Sequence, residues 1–245
     1  ALLAMLPAAC AGALIAWVLS RRVKEDQRIA AGLGALIGAS VIVPLLILSG
    51  TFRPEGILAI VLFIVISPML GFFAAFVLDV VISHLFRYSN QSRMRRIFQP
   101  LQVVAAGVQS VGHGANDGQN AVGMITALLV AGGVLGSFSV PAWAILVSAV
   151  AMAAGTFFGG WEVIEKIAKK ITKIRPYQGF SASASGGAVL SAVTVYGIPV
   201  SSTHVISGAI VGVGVTRGLK AVQWEVVREI IITWVTTIPL ALVIA

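Results

Sequence analysis

Long apolar runs separated by short basic breaks decide what this chain can fold into. Residues 1–19, 29–49, 56–82, 98–135, 141–160, 177–216 and 229–245 are apolar or only weakly polar. A helix needs about 20 such residues to cross a bilayer, so these runs predict about eight crossings. Of the 245 residues 58% are hydrophobic and 11% charged, against about 25% charged in an ordinary soluble domain. Folding them around one soluble core would leave too little polar surface to face water. The chain is therefore expected to be an all-α integral membrane protein.

The net charge of +8 invites a nucleic-acid reading, and the placement of the charges removes it. Arg21, Arg22, Lys24 and Arg28 lie in 20–28; Arg87, Arg93, Arg95 and Arg96 in 83–97; Lys166, Lys169, Lys170, Lys173 and Arg175 in 161–176; Arg217, Lys220 and Arg228 in 217–228. The alternate breaks, 50–55 and 136–140, hold one basic residue and none. Under the positive-inside rule all four basic segments are cytoplasmic and the charge reports topology, so no nucleic-acid partner is expected. Asp79 and His84 lie near one such segment, the acid expected to pair with a neighbouring arginine and the histidine to be solvated. Cys10, alone in an apolar run, offers neither a disulfide framework nor a CxxC motif. Trp161 to Arg175 carries Val163, Ile164, Ile167, Ile171 and Ile174 against a lysine face. That pattern reads as an amphipathic helix in the cytoplasmic interface.

Two runs are interrupted by polar residues. The first holds His113, Asn116, Asp117, Gln119 and Asn120 among Gly114, Gly118 and Gly123. An ionised Asp at a helix centre costs about 2.5–3.5 kcal/mol on insertion scales, so a cluster of this density points to a site. Asp117 and Asn120, three apart, share a helix face and could hold one small cation between a carboxylate and an amide oxygen. Because 98–135 joins an inside segment to an outside one, it needs an odd number of crossings. Its length predicts a re-entrant element or two half-helices beside a full span. The second break runs from Gly197 through Pro199, Ser201, Ser202 and Thr203 to His204, within a stretch, 177–216, that starts and ends inside. The three hydroxyls fall where the first turn of a new helix begins, next to its free N–H groups. Several neutral donors without an arginine suit a tetrahedral oxyanion that must be released again. The plainer reading of that turn is a helix N-cap with back-bonded hydroxyls.

HGANDGQNAVG and GIPVSSTHVISGAIVGVG resemble the two signatures of the C-terminal repeat of the inorganic phosphate transporter (PiT) family, GANDxxNAxG and PVSTTHxxxGxIxGVG. The connector GTFFGGWEVIEKIAKKITKIRPYQGFSA and the segment from Ser67 and Pro68 to Gly71 are also similar to the family's, so the resemblance covers about residues 56–245. It implies an inverted-repeat secondary transporter with broken or re-entrant helices, commonly a homodimer, multi-pass in a bacterial inner or plasma membrane. The function implied is inorganic phosphate transport by alternating access, coupled to Na⁺ or H⁺, with no other cofactor and no enzymatic step. Position by position, Asp117 and Asn120 correspond to the family's cation-coordinating pair, the Na⁺ ligands if sodium is the coupling ion. Asn116, Gln119, Ser201, Ser202 and Thr203 correspond to the phosphate shell, while His113 and His204 flank the motifs as bracing groups or proton relays.

The resemblance divides the chain into residues 1–97, a remnant or truncated first repeat, and 98–245, a second repeat with 161–176 as its cytoplasmic connector. Residues 1–97 lack the GxxDxxN motif and PxSSSH-like turn of a first repeat; Gly32 to Ser40 is the nearest remnant. Alternative functions are transport of sulfate or another oxyanion, a non-transporting receptor or subunit, and an intramembrane hydrolase using Ser201 or Ser202 with His204 and Asp117. Nothing resembling a nucleophile elbow supports the last.

Overall fold

The computed structural model describes residues 57–165 and 170–244, Tyr196 and Pro199 excepted. The expected spans 1–19 and 29–49, the basic segment 20–28, Cys10, the 32–40 remnant, Lys166 and Lys169 lie outside the described residues. Six α-helices follow one another: α1 (Ile57–Leu85), α2 (Gln91–Ala131), α3 (Ala142–Ile164), α4 (Pro176–Val195), α5 (Ser202–Val215) and α6 (Trp224–Ile244), with a 3-10 turn at Leu219–Ala221. Within them, Phe63–Leu85 and Ala142–Trp161 are long and apolar enough to cross a membrane. On α3 the large side chains Trp143, Leu146 and Val150 are exposed, as a lipid-facing helix requires.

Contacts between helices give their directions. His204 reaches Ile64, and Thr216 reaches Asp79, so α1 and α5 run parallel. Between these points a Cβ on Gly208 would overlap the Pro68 carbonyl, and one on Gly212 would overlap that of Phe72. The small-xxx-small spacing thus brings two helix backbones into contact, the packing available where no hydrophobic force draws helices together in lipid. Gly179 meets Gln102 and Gly187 meets Gln109, so α4 runs parallel to α2. Leu190 packs with Val205 in one core cluster while Gln178 bonds to Val213, so α4 and α5 form an antiparallel hairpin. Phe98 stacks edge-on with Phe86 at 5.3 Å and lies 5.5 Å from Phe180, tying together the end of α1 and the starts of α2 and α4. These directions put the described basic segments, around Arg93, Arg175 and Arg217, at one end of the bundle.

Three expectations change. The stretch 98–135 is neither re-entrant nor split: α2 runs unbroken for 41 residues, about 60 Å at 1.5 Å per residue. Gly114, Gly118 and Gly123 cost about 1 kcal/mol each in a helix, yet none takes a positive φ; the helix packs on α4 at Gly112, and Asn116 and Asp117 find partners outside it. The expected amphipathic helix does not reach Arg175, because residues 172–175 are non-helical and Ile171 is fully buried. Ile171 accepts from the Gln223 N–H at 2.9 Å and Thr172 donates to Ala221 at 2.8 Å, pulling the connector into the bundle. Asp79 pairs with no arginine among the described residues. It is fully buried and accepts from Ser181 at 3.0 Å and Thr216 at 2.6 Å, with Gln178 bonded to Val213 behind them.

Candidate functional site

The site forms where the tip of the α4–α5 hairpin meets the middle of α2. Helix α4 ends in a Schellman turn: Gly197 takes φ +64°, its N–H bonds to Thr194 at 3.1 Å, and that of Ile198 to Val193 at 2.9 Å. Glycine adopts that conformation without steric cost, and the apolar contact between Val193 and Ile198 completes the motif. The chain then passes through Val200 to Ser201, the N-cap of α5, whose hydroxyl accepts from the His204 N–H at 3.4 Å. The plainer reading of this serine therefore holds for its cap role.

Two contacts join the two polar motifs. Ser202 Oγ lies 3.0 Å from Asp117 Oδ1 and 3.1 Å from Oδ2, its single proton shared between them. Asn116, 6% exposed, donates from Nδ2 to the Val200 carbonyl and to Asp117 Oδ1, each at 3.1 Å. A turn carbonyl with no helical partner is thereby satisfied inside the protein. The Asp117 carboxylate also faces the N-terminal end of α5, whose first amides have no intrahelical acceptor and favour negative charge. His113, one turn earlier on α2, brings Nδ1 to 3.6 Å from Asp117 Oδ2, too far for a hydrogen bond.

Of the residues singled out in the sequence, Asn116, Asp117, Ser201 and Ser202 come together, with His113 at the edge. Gln119, Asn120 and Thr203 are exposed on the described part. Asp117, read with Asn120 as the ligand pair of one cation, takes its hydroxyl contact from Ser202. His204 points away from the carboxylate: Nδ1 contacts the Ile64 carbonyl at 3.2 Å, and the ring lies against Trp234 at a centroid distance of 3.7 Å. Ser202, Asp117 and His204 thus form no nucleophile–base chain. The Val200 carbonyl and Trp234 escaped the sequence reading, since a backbone acceptor and one aromatic in an apolar run carry no local signal. Beside the site, a groove of about 1110 Å³ between α2 and α3 is lined by His113, Gly118, Gln119, Ser148, Met152 and Phe157 among others, but not by Asp117.

A profile described as "Phosphate transporter family" matches residues 86–245, well over half of the chain. The chain belongs to the phosphate transporter family. Members and relatives are transporters, not enzymes. This family member is 43% identical over 192 residues to a Rhizobium meliloti protein named "Probable low-affinity inorganic phosphate transporter", covering 78% of this chain and 58% of the relative. A Bacillus subtilis protein of the same name is 35% identical over 241 residues, covering 98% and 71%. The chain thus spans somewhat over half to about seven-tenths of these relatives' lengths. Its fold matches a solved structure titled "The sodium-dependent phosphate transporter" with a TM-score of 0.52 at 23% identity, over 96% of this chain and 51% of that one.

Proposed function

We propose that this chain carries inorganic phosphate across a membrane, coupled to a cation, with the binding site between Asp117 and the N-terminal turn of α5. The observation that carries the reading is the Ser202 hydroxyl set against both oxygens of Asp117, which unites the two signature motifs in one place. Asp117 is the cation ligand. Its side chain is 37% exposed, so a cation can reach it without dismantling the protein around it. Phosphate binds at the α5 N-terminus, where the Ser202 and Thr203 amides and hydroxyls supply neutral donors.

The two ions help each other. Opposite unit charges 4 Å apart attract by about 4 kcal/mol at an effective dielectric of about 20, so a cation on Asp117 offsets the repulsion a bare carboxylate would exert on an incoming dianion. By linkage, phosphate raises cation affinity by the same factor. Sodium is the first ion to test, given the name of the structural neighbour. Asn120, Gln119 and Thr203, exposed on the described part, complete the shell in this reading. Residues 98–245 form the second repeat, with α4 and α5 as a re-entrant hairpin. Alternating access, a homodimer and a multi-pass place in a bacterial plasma membrane belong to the same reading and rest on the family resemblance.

Labelled-phosphate uptake into vesicles carrying the full chain tests it. Asp117→Asn is expected to reduce uptake to background while the protein remains folded and membrane-inserted. Wild-type uptake in that variant would sink the assignment.

A further inference from the structure

Pro68, inside α1, has no N–H, so the carbonyl one turn earlier, that of Ile64, loses its helical partner. An unpaired carbonyl inside a membrane protein is costly, and neighbouring side chains commonly satisfy it. Here the neighbour is His204, whose Nδ1 lies 3.2 Å from the Ile64 oxygen. A carbonyl oxygen only accepts, so Nδ1 must carry the hydrogen. The ring is 8% exposed, and it is also held by Trp234 of α6, 3.7 Å between centroids with the planes 31° apart.

His204 is the third residue of α5. Its backbone N–H takes the Ser201 cap at 3.4 Å, and Ser202, two residues earlier, holds Asp117. Whatever fixes the imidazole therefore fixes the turn that presents Ser202. We propose that Pro68 and Trp234 are positioning residues of the phosphate and cation site: by withholding one hydrogen bond from α1 and supplying one ring face from α6, they lock His204 with Nδ1 protonated. The locked ring sets the first turn of α5 against Asp117. This rests on the function proposed above for that turn.

The proposal separates position from stability in an unusual way. Pro68→Ala returns an N–H to Ile64 and improves the helix, so a purely structural proline would leave transport intact or better. If the carbonyl is instead the anchor for His204, the same substitution releases the ring. Phosphate uptake and ¹⁵N-histidine magnetic resonance of the full chain in lipid vesicles test this together. One lost or loosened hydrogen bond corresponds to about a threefold to tenfold change. Pro68→Ala and Trp234→Ala are expected to raise the phosphate KM by that factor, with maximal uptake within about twofold and no loss of thermal stability in Pro68→Ala. Trp234→Phe, which keeps a ring face, and His204→Asn, which keeps a donor near the Nδ1 position, should recover most of the affinity that Trp234→Ala and His204→Ala lose. In the spectrum His204 Nδ1 should be protonated in the wild type and lose that fixed signature in Pro68→Ala.

An unchanged KM in folded Pro68→Ala and Trp234→Ala would overturn the proposal, as would a wild-type His204 protonated only at Nε2. If the wild-type chain takes up no phosphate, the transport reading fails, and the nitrogen signature in wild type against Pro68→Ala still decides whether the proline sets the histidine.

Discussion

Two carboxylates in this bundle are each held by hydroxyls, and they differ in how far they are closed off from a ligand. Asp79 accepts from Ser181 on one oxygen and Thr216 on the other, and is fully buried. The hydroxyls lie within 3.0 Å of it, on two other parts of the chain, which leaves no space for an ion between them. Asp117 receives one hydroxyl, Ser202, shared between both oxygens, together with the Asn116 amide, and is 37% exposed. Asp79 works as a clasp: it ties α1 to the start of α4 and the end of α5. Asp117 keeps unfilled acceptor capacity on an accessible side. Each acid has two side-chain donors, so access separates them: the fully buried carboxylate reads as structure and the accessible one as a candidate site.

Exchanging the two acids for uncharged residues tests this division most sharply. Asp117→Asn should abolish uptake with little change in thermal unfolding; a large loss of stability with uptake retained would reverse the roles. Next in size, Asp79→Ala removes the acceptor that joins Ser181 and Thr216, leaving each hydroxyl only a carbonyl one turn back, Tyr177 and Val213. It should destabilise the protein by about 2–3 kcal/mol while the phosphate KM of the surviving protein stays the same. A changed KM at full stability would make Asp79 part of the pathway instead. Ser202→Ala removes the donor shared by the Asp117 oxygens and should raise the half-saturating cation concentration by about threefold to tenfold, read from uptake against sodium. Smallest is His113→Gln: at 3.6 Å its ring makes no hydrogen bond to Asp117, so uptake should change by less than about twofold. A larger drop would add His113 to the site.

The same contrast explains what could be read from the residues alone. Helical run lengths, the shared end of the basic segments and the break at Gly197 followed from composition and punctuation, which are local. So did Asp117, as the one acid in the middle of an apolar run. Glycines around Asp117 suggested an unwound backbone, but their preference is weak, about 1 kcal/mol each, and α2 stays helical. Asn120 shares a helix turn with Asp117, yet the carboxylate's partner is Ser202, 85 residues away, reached only once the hairpin folds back. The expected arginine partner of Asp79 failed for the same reason, since proximity in sequence ranked above two hydroxyls brought in from α4 and the residue after α5. Local chemistry identifies which side chain needs a partner; tertiary packing chooses it.

The unbroken α2 has a mechanical consequence. A helix with every turn intact is stiffer than a broken one, and sharp kinks sit at prolines, Gly/Ser pairs, π-bulges or inserted groups; α2 runs helical through Gly114 and Gly118 and has its proline at Pro100, four to five turns from Asp117. In the transport cycle proposed above, opening and closing of the site are then expected at the hairpin tip rather than from α2 folding upon itself. Because α5 is pressed backbone to backbone on α1 at Gly208 and Gly212, a shift of that tip carries α1 with it: α2 is the rail, and α1 with α5 the carriage.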